Sequence, residues 1–177
     1  SGVPHADNVA PALYGGITLI RGHDPLDIAR VHCPPLLYAV VLHPQIELKT
    51  ADSRSILKRS ITLEQGIRQW GNVGGLITGL FTEDYGLISR SLKDGVIEPI
   101  RSLLIPGFDQ MRQVAMDAGA LGFGISGSGP SVFALTKGER LAWDTETALN
   151  KYYKSVGIPY ITFTSAINQD GVRLFPE

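Results

Sequence analysis

The sequence predicts an α+β fold in which helices pack on one face of a mostly antiparallel sheet, as a two-layer sandwich. Three observations predict it. Strand-like and helix-like segments are mixed along the chain without strict alternation. Residues 36–42 are continuously apolar, which is typical of a central strand. Residues 62–65 form a Thr-x-x-Gln capping box ahead of a long segment with apolar residues at helical spacing.

The first part of the chain begins with a short helix. Asp7 is placed to cap it, because a carboxylate at this position can accept N–H groups of the first turn. Gly15 and Gly16 end it. Thr50 is placed to cap a later helix. The predicted elements are a helix over 8–14, a strand over 17–21, a turn over 22–25, the central strand over 36–42 and a helix over 51–57.

The second part of the chain is predicted to be mainly helical, with strands near its end. After the helix that begins at Thr62, the predicted elements are a helical piece over 85–93, a helix over 108–118, a Gly/Ser-rich strand pair over 120–135, a helix over 139–156, and strands over 160–164 and 171–175. Trp70, Phe81 and Phe108 are assigned to the core. The helix over 139–156 is predicted to pack through the face that carries Leu141, Thr145, Ala148 and Tyr152.

Length and composition narrow the possible functions. The chain has 177 residues, of which 44% are apolar, and this is enough for one domain with a proper core. The net charge of −1 and the lack of a basic stripe argue against a nucleic-acid partner. The apolar runs are too short for a membrane span. A single cysteine, Cys33, cannot form an internal disulfide, which fits the reducing cytoplasm. The chain starts without Met or a leader, so we expect a piece of a longer protein.

The most informative segment is the Gly/Ser-rich interruption of an apolar run at residues 120–135. Glycine allows backbone angles and close approaches that other residues do not. The segment therefore predicts a tight loop between two strands, rich in N–H groups and hydroxyls, and such loops bind anions. A plain turn that binds nothing is the alternative. The residues concerned are Gly124, Ser126, Gly127, Ser128, Gly129 and Ser131, with Pro130 fixing the loop exit.

Two further groups of side chains could bind an anionic ligand. His5 and Asn8 lie three residues apart at a helix start, where N–H groups favour anions. Arg54 and Arg101 come from distant segments, and each guanidinium can hold a carboxylate or phosphate through two hydrogen bonds. The alternatives are an exposed His5 beside an ordinary cap, and surface ion pairs for the arginines.

Metal binding and hydrolysis have little support. The four histidines show no ligand pairing at helical spacing, and one cysteine adds nothing. Ser126 and Ser128 lack the Gly-x-Ser-x-Gly arrangement of hydrolases. We therefore predict no metal site in this chain.

Several segments resemble one kinase family, in the family's order along nearly the whole chain. Residues 5–11, His-Ala-Asp-Asn-Val-Ala-Pro, resemble the H-x-D-N-V-A-P segment of homoserine kinases. Residues 124–131 resemble the third, Gly-rich motif of the GHMP kinases, the superfamily of galacto-, homoserine, mevalonate and phosphomevalonate kinases. Residues 50–54, 98–101 and 104–108 also resemble homoserine kinases. The Gly-rich motif is shared by the whole superfamily, and the other segments indicate the homoserine kinases within it.

The resemblance implies transfer of a phosphoryl group from ATP, with Mg²⁺, to the side-chain hydroxyl of L-homoserine in threonine biosynthesis. It also implies a ferredoxin-like C-terminal domain. In the family pattern, His5 and Asn8 line the homoserine pocket, with Asn8 near the reacting hydroxyl as the catalytic residue. Arg54 and Arg101 bind the carboxylate, and Ser126, Gly127, Ser128 and Gly129 pack near the phosphate loop. Such transfer needs mainly positioning and charge stabilisation.

The sequence also departs from the family, because the phosphate loop P-x-x-x-G-L-G-S-S-A is missing. We therefore expect residues 1–177 to be the C-terminal domain of a cytoplasmic homoserine kinase, inactive without its nucleotide-binding half and with no cofactor bound. Exposed apolar surface near Val9, Leu13 and the Gly-rich loop could promote association, including a homodimer. The alternatives are another GHMP kinase, such as one acting on mevalonate, and a non-catalytic amino-acid-binding module.

Overall fold

A four-stranded antiparallel sheet organises the chain. The computed structural model describes residues 6–48 and 60–173. The sheet has the strand order β4-β5-β3-β6, and a separate hairpin is formed by β1 and β2. The strands are β1 Ile17–His23, β2 Leu26–Val31, β3 Leu37–Pro44, β4 Gly122–Ile125, β5 Val132–Lys137 and β6 Tyr160–Ala166. All neighbouring strands pair antiparallel, as the sequence predicted.

Helices lie on both sides of this sheet. They are α1 Val9–Tyr14, α2 Leu63–Thr82, α3 Tyr85–Ser91, α4 Glu98–Arg101, α5 Phe108–Asp117 and α6 Glu139–Val156, with a 3₁₀ turn over Ser102–Leu104. The predicted capping box starts α2. The Gln65 N–H donates to Thr62 Oγ1 over 3.2 Å, and the Thr62 N–H donates to Gln65 Oε1 over 3.0 Å. No helix within residues 6–48 and 60–173 combines the length and the apolar character that crossing a bilayer requires.

Side chains of β3 alternate between two apolar cores. Val40 and Leu42 face the larger core, whereas Leu37 belongs to a second cluster with residues of α2 and α3. The larger core is formed by the sheet with α5 and α6, through Val40, Leu42, Val132, Ala134, Phe108, Met111, Ala115, Ala142, Leu149 and Tyr153. The second core contains Val31, Cys33, Leu37, Leu80 and Ile88.

The structure corrects several predicted details. β1 continues to His23 and returns as β2, which the sequence analysis missed because a turn was placed from residue 22. Residues 171–173 are not a strand. The predicted helix over 51–57 and its Thr50 cap lie outside the described residues. Asp7 does not cap α1, which begins after Asn8 without a side-chain cap bond.

Two predicted core aromatics are on the surface. Phe108 is buried as expected, whereas Trp70 and Phe81 are 64% and 59% exposed. The Phe81 ring lies 6.0 Å from the ring of His32, which follows β2. The buried face of α6 keeps the predicted Thr145, but its other three positions are displaced by one residue, to Ala142, Leu149 and Tyr153. Helical spacing predicts an apolar stripe along a helix. Whether other parts of the protein cover that stripe depends on the tertiary structure.

The larger core yields a stability prediction. Leu149 in α6 is fully buried, so Leu149→Ala should lower the free energy of unfolding by roughly 2–5 kcal/mol, through lost burial and the cavity left behind. Leu103 is 83% exposed. The same substitution there, Leu103→Ala, should change stability by less than about 0.5 kcal/mol. Urea unfolding of both variants checks this, and equal effects would contradict the described core.

Candidate functional site

The Gly/Ser-rich segment is a tight loop between β4 and β5, formed by residues 126–131. The Ser126 N–H donates to the Ser131 carbonyl over 2.8 Å, and the Gly129 N–H donates to the Ser126 carbonyl over 3.0 Å. Gly127 and Gly129 have φ values of 61° and 79°. These values lie in the left-handed region that glycine adopts readily. The sequence correctly predicted a bend that only glycines accommodate well.

Part of the loop's hydrogen-bonding capacity is used internally. Among the residues that the structure describes, the N–H groups of Gly127 and Ser128 have no backbone acceptor. His43 Nδ1 lies 2.8 Å from Ser131 Oγ and ties β3 to the loop exit. The loop therefore offers two adjacent N–H groups, a smaller set than the sequence suggested.

Arg101 meets this loop from the end of α4. Its Nη1 donates to the Gly127 carbonyl over 3.0 Å. Its Nε is buried and has no hydrogen-bond partner within the described part of the chain. Buried donors are normally paired, so a buried guanidinium N–H without a partner is unusual. The structure thus brings together Arg101 and the Gly-rich loop, two of the features that the sequence singled out.

A cavity of about 210 Å³ lies beside Arg101. Two hydrogen bonds hold α2 against the chain that leads into α4 and so frame the cavity. The Asn72 side chain donates to the Lys93 carbonyl over 3.0 Å, and the Gly95 N–H donates to Gln69 Oε1 over 3.1 Å. The lining residues are Gln69, Asn72, Val73, Leu76, Ser91, Leu92, Lys93, Asp94, Ile97, Glu98, Arg101, Phe123, Gly124, Ile125, Gly127 and Phe133.

Asp94 fixes the start of α4. Its carboxylate accepts N–H bonds from Val96, Ile97 and Glu98, at 2.8, 2.9 and 3.2 Å. Pro99 stands in the first turn, where its missing N–H costs nothing. A four-residue helix has little intrinsic stability, so these contacts, rather than helix propensity, determine where Arg101 points.

Glu98 connects α4 to both α5 and the end of β4. Its side chain is only 12% exposed, and it forms an ion pair with Arg112 of α5. Its carboxylate also lies against β4, because a Cβ on Gly124 would stand 3.1 Å from Glu98 Oε2. The Arg112 guanidinium in turn stacks over the Phe108 ring, 4.8 Å from its centroid. The carboxylate therefore joins the helix that carries Arg101 to the strand that leads into the Gly-rich loop.

Burial raises the pKa of Glu98 above its ordinary value of 4.5. The Arg112 charge opposes this effect, and the Asp94 charge adds to it. Because desolvation is the largest contribution, the folded protein holds the proton on this carboxyl group more tightly than the unfolded chain does.

Asn8 stands immediately before α1, with its side chain exposed. The segment after β6 holds this helix in place, since the Gly16 N–H donates to the Asn168 carbonyl over 2.6 Å. A Cβ on Gly171 would lie 2.2 Å from the Leu13 carbonyl oxygen. The backbones at Leu13 and Gly171 are therefore in van der Waals contact, and no side chain fits at residue 171.

Two of the predicted site residues, His5 and Arg54, lie outside the described residues. The sequence did not indicate a role for Asp94, Glu98 or Arg112. A signal existed for Asp94, which precedes a Glu-Pro pair by four residues, a spacing that favours a capped helix start. No local signal pairs Glu98 with Arg112.

No group of three or more His, Cys, Asp or Glu side chains that could hold a metal ion occurs in residues 6–48 and 60–173. Cys33 is buried, and burial raises the pKa of its thiol, which disfavours the reactive thiolate.

The region from the middle of α2 to α6 matches a known family. Residues 76–155 match the family model described as GHMP kinases C terminal. Over these residues the chain is similar to the C-terminal domain of GHMP kinases. The matched residues of this domain include Arg101, Glu98 and the Gly-rich loop.

The chain is also similar in sequence to named homoserine kinases. The chain is 49% identical over 152 residues to the homoserine kinase of Chloroherpeton thalassium, a match that covers 86% of this chain and 48% of that protein. The chain spans about half the length of the curated relatives it matches.

Solved structures support the same fold. The crystal structure of homoserine kinase from Cytophaga hutchinsonii superimposes with a TM-score of 0.93 at 49% identity, covering 96% of this chain and 54% of that one. L. major mevalonate kinase, solved with R-mevalonate, has a TM-score of 0.70 at 19% identity, covering 94% and 54%. The second likeness shows the GHMP kinase fold alone.

Glu98 generates a pH-dependent stability prediction. Because its pKa is raised in the folded state, its contribution to stability is present below about pH 4.5 and is lost as the pH rises through the folded-state pKa. Glu98→Gln removes this titration. The free energy of unfolding of the wild type minus that of Glu98→Gln should therefore fall as the pH rises from about 4 to 8.

Urea unfolding at a series of pH values measures this difference. Glu64→Gln, at a side chain that is 83% exposed, corrects for the general effect of losing one carboxylate. A difference that stays flat or increases with pH would show that burial does not dominate at Glu98.

Proposed function

We propose that this chain is the C-terminal, substrate-binding part of a homoserine kinase, residues 1–177 forming that domain. Such an enzyme transfers the γ-phosphate of ATP to the side-chain hydroxyl of L-homoserine. Identities of 49% to named homoserine kinases, with a TM-score of 0.93 to one of them, support this proposal. The structural observation that carries it is Arg101, held at the Gly-rich loop with a buried N–H that has no hydrogen-bond partner among residues 6–48 and 60–173.

Arg101 is proposed to bind the carboxylate of the amino acid. Its guanidinium already donates one hydrogen bond to the Gly127 carbonyl, which fixes its plane and lowers the entropy lost on binding. An incoming carboxylate can satisfy the remaining N–H groups with charge-assisted hydrogen bonds. Arg54 is proposed to bind the same carboxylate from the other side.

The cavity beside Arg101 fits a small ligand. Its volume of about 210 Å³ lies below the roughly 300 Å³ at which sites for drug-sized ligands begin. An amino acid with a short side chain suits this space. Ser126, Gly127, Ser128 and Gly129 are proposed to border the phosphate loop of the other half. The two N–H groups at Gly127 and Ser128 are suited to an anion there.

Asn8 is proposed to lie near the reacting hydroxyl, with His5 lining the same pocket. A carboxamide can donate and accept hydrogen bonds but cannot act as a strong base. This is adequate for phosphoryl transfer, which depends on positioning and on charge stabilisation more than on covalent help from the protein. Asn8 would then orient the hydroxyl rather than deprotonate it.

ATP and Mg²⁺ are proposed to bind mainly to a nucleotide-binding half that precedes this domain. Exposed apolar side chains support a covering partner at two places. Val9 and Leu13 of α1 are 56% and 53% exposed, and Ile161 and Phe163 of β6 are also exposed. The proposed enzyme is cytoplasmic, without membrane or nucleic-acid partners, and the net charge of −1 agrees with the latter.

The alternatives are less well supported. A mevalonate kinase shares the fold at only 19% identity. A non-catalytic amino-acid-binding module does not account for the match to the GHMP kinase C-terminal family over residues 76–155.

The chain by itself should not phosphorylate homoserine, because it lacks the phosphate loop that would hold ATP. An ATP-coupled assay with L-homoserine should stay at the background of a sample without protein. Clear turnover would contradict the proposal that a separate half of the enzyme binds ATP. Tight binding of homoserine by the chain alone, without turnover in any completed protein, would favour the amino-acid-binding module.

Arg101 can be tested in a chimera in which this chain replaces the matching part of the Cytophaga hutchinsonii homoserine kinase. Arg101→Ala should raise the KM for homoserine by about 10- to 100-fold, because a hydrogen bond to a charged group contributes roughly 1.5–3 kcal/mol. The KM for ATP should change little. Arg101→Lys keeps the charge but not the planar fork, so an intermediate effect is expected.

Arg140→Ala, at a side chain that is 87% exposed, is the matched control and should leave both KM values unchanged. A homoserine analogue without the carboxylate should be insensitive to Arg101→Ala. If Arg101→Ala raised the KM for homoserine and for this analogue equally, Arg101 would not bind the carboxylate. If the chimera preferred mevalonate to homoserine, homoserine would not be its substrate.

A further inference from the structure

A second cavity lies beside the cavity at Arg101. Its volume is about 630 Å³, compared with about 210 Å³ for the first. Four cationic side chains line it, against two carboxylates, so we call it the basic cavity. The lining residues that define it are Arg68, Arg90, Lys93, Arg112, Met116 and Leu121.

The four cations come from separate parts of the chain. Arg68 belongs to α2 and Arg90 to α3, whereas Lys93 lies between α3 and α4, and Arg112 belongs to α5. No local pattern in the sequence brings these residues together, so it is the tertiary fold that concentrates positive charge here. A concave surface lined by one sign of charge attracts small ligands of the opposite charge.

The two carboxylates in the wall are engaged elsewhere. Asp94 accepts the N–H groups that begin α4, at 2.8, 2.9 and 3.2 Å. Glu98 is paired with Arg112, and its carboxylate lies against Gly124 of β4. Because the cations outnumber the carboxylates, the wall of the basic cavity carries a net positive charge.

The cations have weak partners within the chain. Arg68 pairs with Glu64 over 3.3 Å, and its side chain is 74% exposed. Arg90 lies 3.9 Å from Asp84 and is 63% exposed. Exposed ion pairs of this kind contribute little, so a ligand can displace them at low cost. Lys93 forms no ion pair in the described part of the chain.

Apolar side chains line another part of the basic cavity. Met116 is 39% exposed, and Leu92 and Leu121 are partly buried. An inorganic ion would leave these side chains in contact with water, whereas the apolar part of an organic ligand would cover them. The volume also falls within the roughly 300–1,000 Å³ that is typical of sites for organic ligands.

We propose that the basic cavity binds an organic phosphate monoester, with its phosphate held by the guanidinium groups and its organic part against Met116 and Leu121. A phosphate dianion offers three terminal oxygens, and guanidinium groups bind such oxygens through paired, charge-assisted hydrogen bonds. A single carboxylate would bring half the charge and one oxygen fewer. The inference does not depend on the proposed function, since Arg68, Arg90 and Arg112 do not line the cavity at Arg101.

Arg112 would have two anionic partners when the ligand is bound. Its side chain is 38% exposed, so it can reach a ligand in the basic cavity while it stays close to Glu98. The ligand and Glu98 then compete for one positive charge. Removal of the Glu98 charge should therefore strengthen ligand binding.

Calorimetric titration of the chain with naphthyl phosphate tests the proposal. Inorganic phosphate and naphthol supply the two parts of this probe separately. Naphthyl phosphate should bind with a sub-millimolar Kd, and each separate part should bind at least about tenfold more weakly. Equal binding of inorganic phosphate would contradict the contribution of the apolar side chains, and equal binding of naphthol would contradict that of the cations.

Substitutions of exposed arginines locate the site. The double variant Arg68→Ala/Arg90→Ala should raise the Kd for naphthyl phosphate by at least about tenfold, because two guanidinium groups are lost. Circular dichroism should show an unchanged fold. The matched control is Arg21→Ala/Arg140→Ala, at side chains that are 71% and 87% exposed and that do not line the cavity. It removes the same amount of charge and should bind the probe as the wild type does.

Glu98→Gln tests the same site through a gain of binding, which a misfolded variant would not show. It should lower the Kd for naphthyl phosphate by several-fold, because Arg112 loses its competing carboxylate. Asp144→Asn, which removes an exposed carboxylate outside the cavity, should not. The proposal is overturned by no binding up to about 1 mM, by binding that Arg68→Ala/Arg90→Ala leaves intact, or by weaker binding to Glu98→Gln.

Discussion

A carboxylate buried between two helices and a strand holds the candidate site together. Glu98 is paired with Arg112 and its carboxylate lies against Gly124, so it fixes α4 against α5 and against the end of β4. Without these contacts a four-residue helix would have no fixed orientation in the fold. The Arg101 guanidinium at its end would then not be held at the Gly-rich loop. The fold accepts the desolvation of a charged group here in return for a defined geometry. The Gly-rich loop and the cavity both depend on that geometry.

Local features of the sequence predicted much of the architecture. The capping box at Thr62, the central strand and the helix over Glu139–Val156 were predicted well, because each is encoded by neighbours a few residues apart. The hairpin partner β2 was missed because Asp24-Pro25 and its surroundings indicate only a turn. Trp70 and Phe81 were assigned to the core because helical spacing does not distinguish a stripe that packs on its own domain from one that faces outward.

The candidate site was predictable only in part, for the same reason. A bend with positive φ at Gly127 and Gly129 follows directly from residue type. The sequence singled out Arg101 and this bend separately, and the structure joins them through a 3.0 Å hydrogen bond. The pairing of Glu98 with Arg112 could not be predicted, since it spans two helices whose relative placement is set by core packing. The roles of His5, Asn8 and Arg54 remain predictions.

The close crossing of Gly15 and Gly171 affects how sequence relationships in this domain should be interpreted. A Cβ at either glycine would lie within 2.3 Å of a backbone atom from the opposite end of the chain. Glycine is therefore required at these two positions because the two backbones pass too closely for a side chain, and not because either residue binds a ligand. In an alignment of related domains both glycines should appear invariant and could be mistaken for binding residues, although their effect is only to dock the helix after Asn8 onto the final segment.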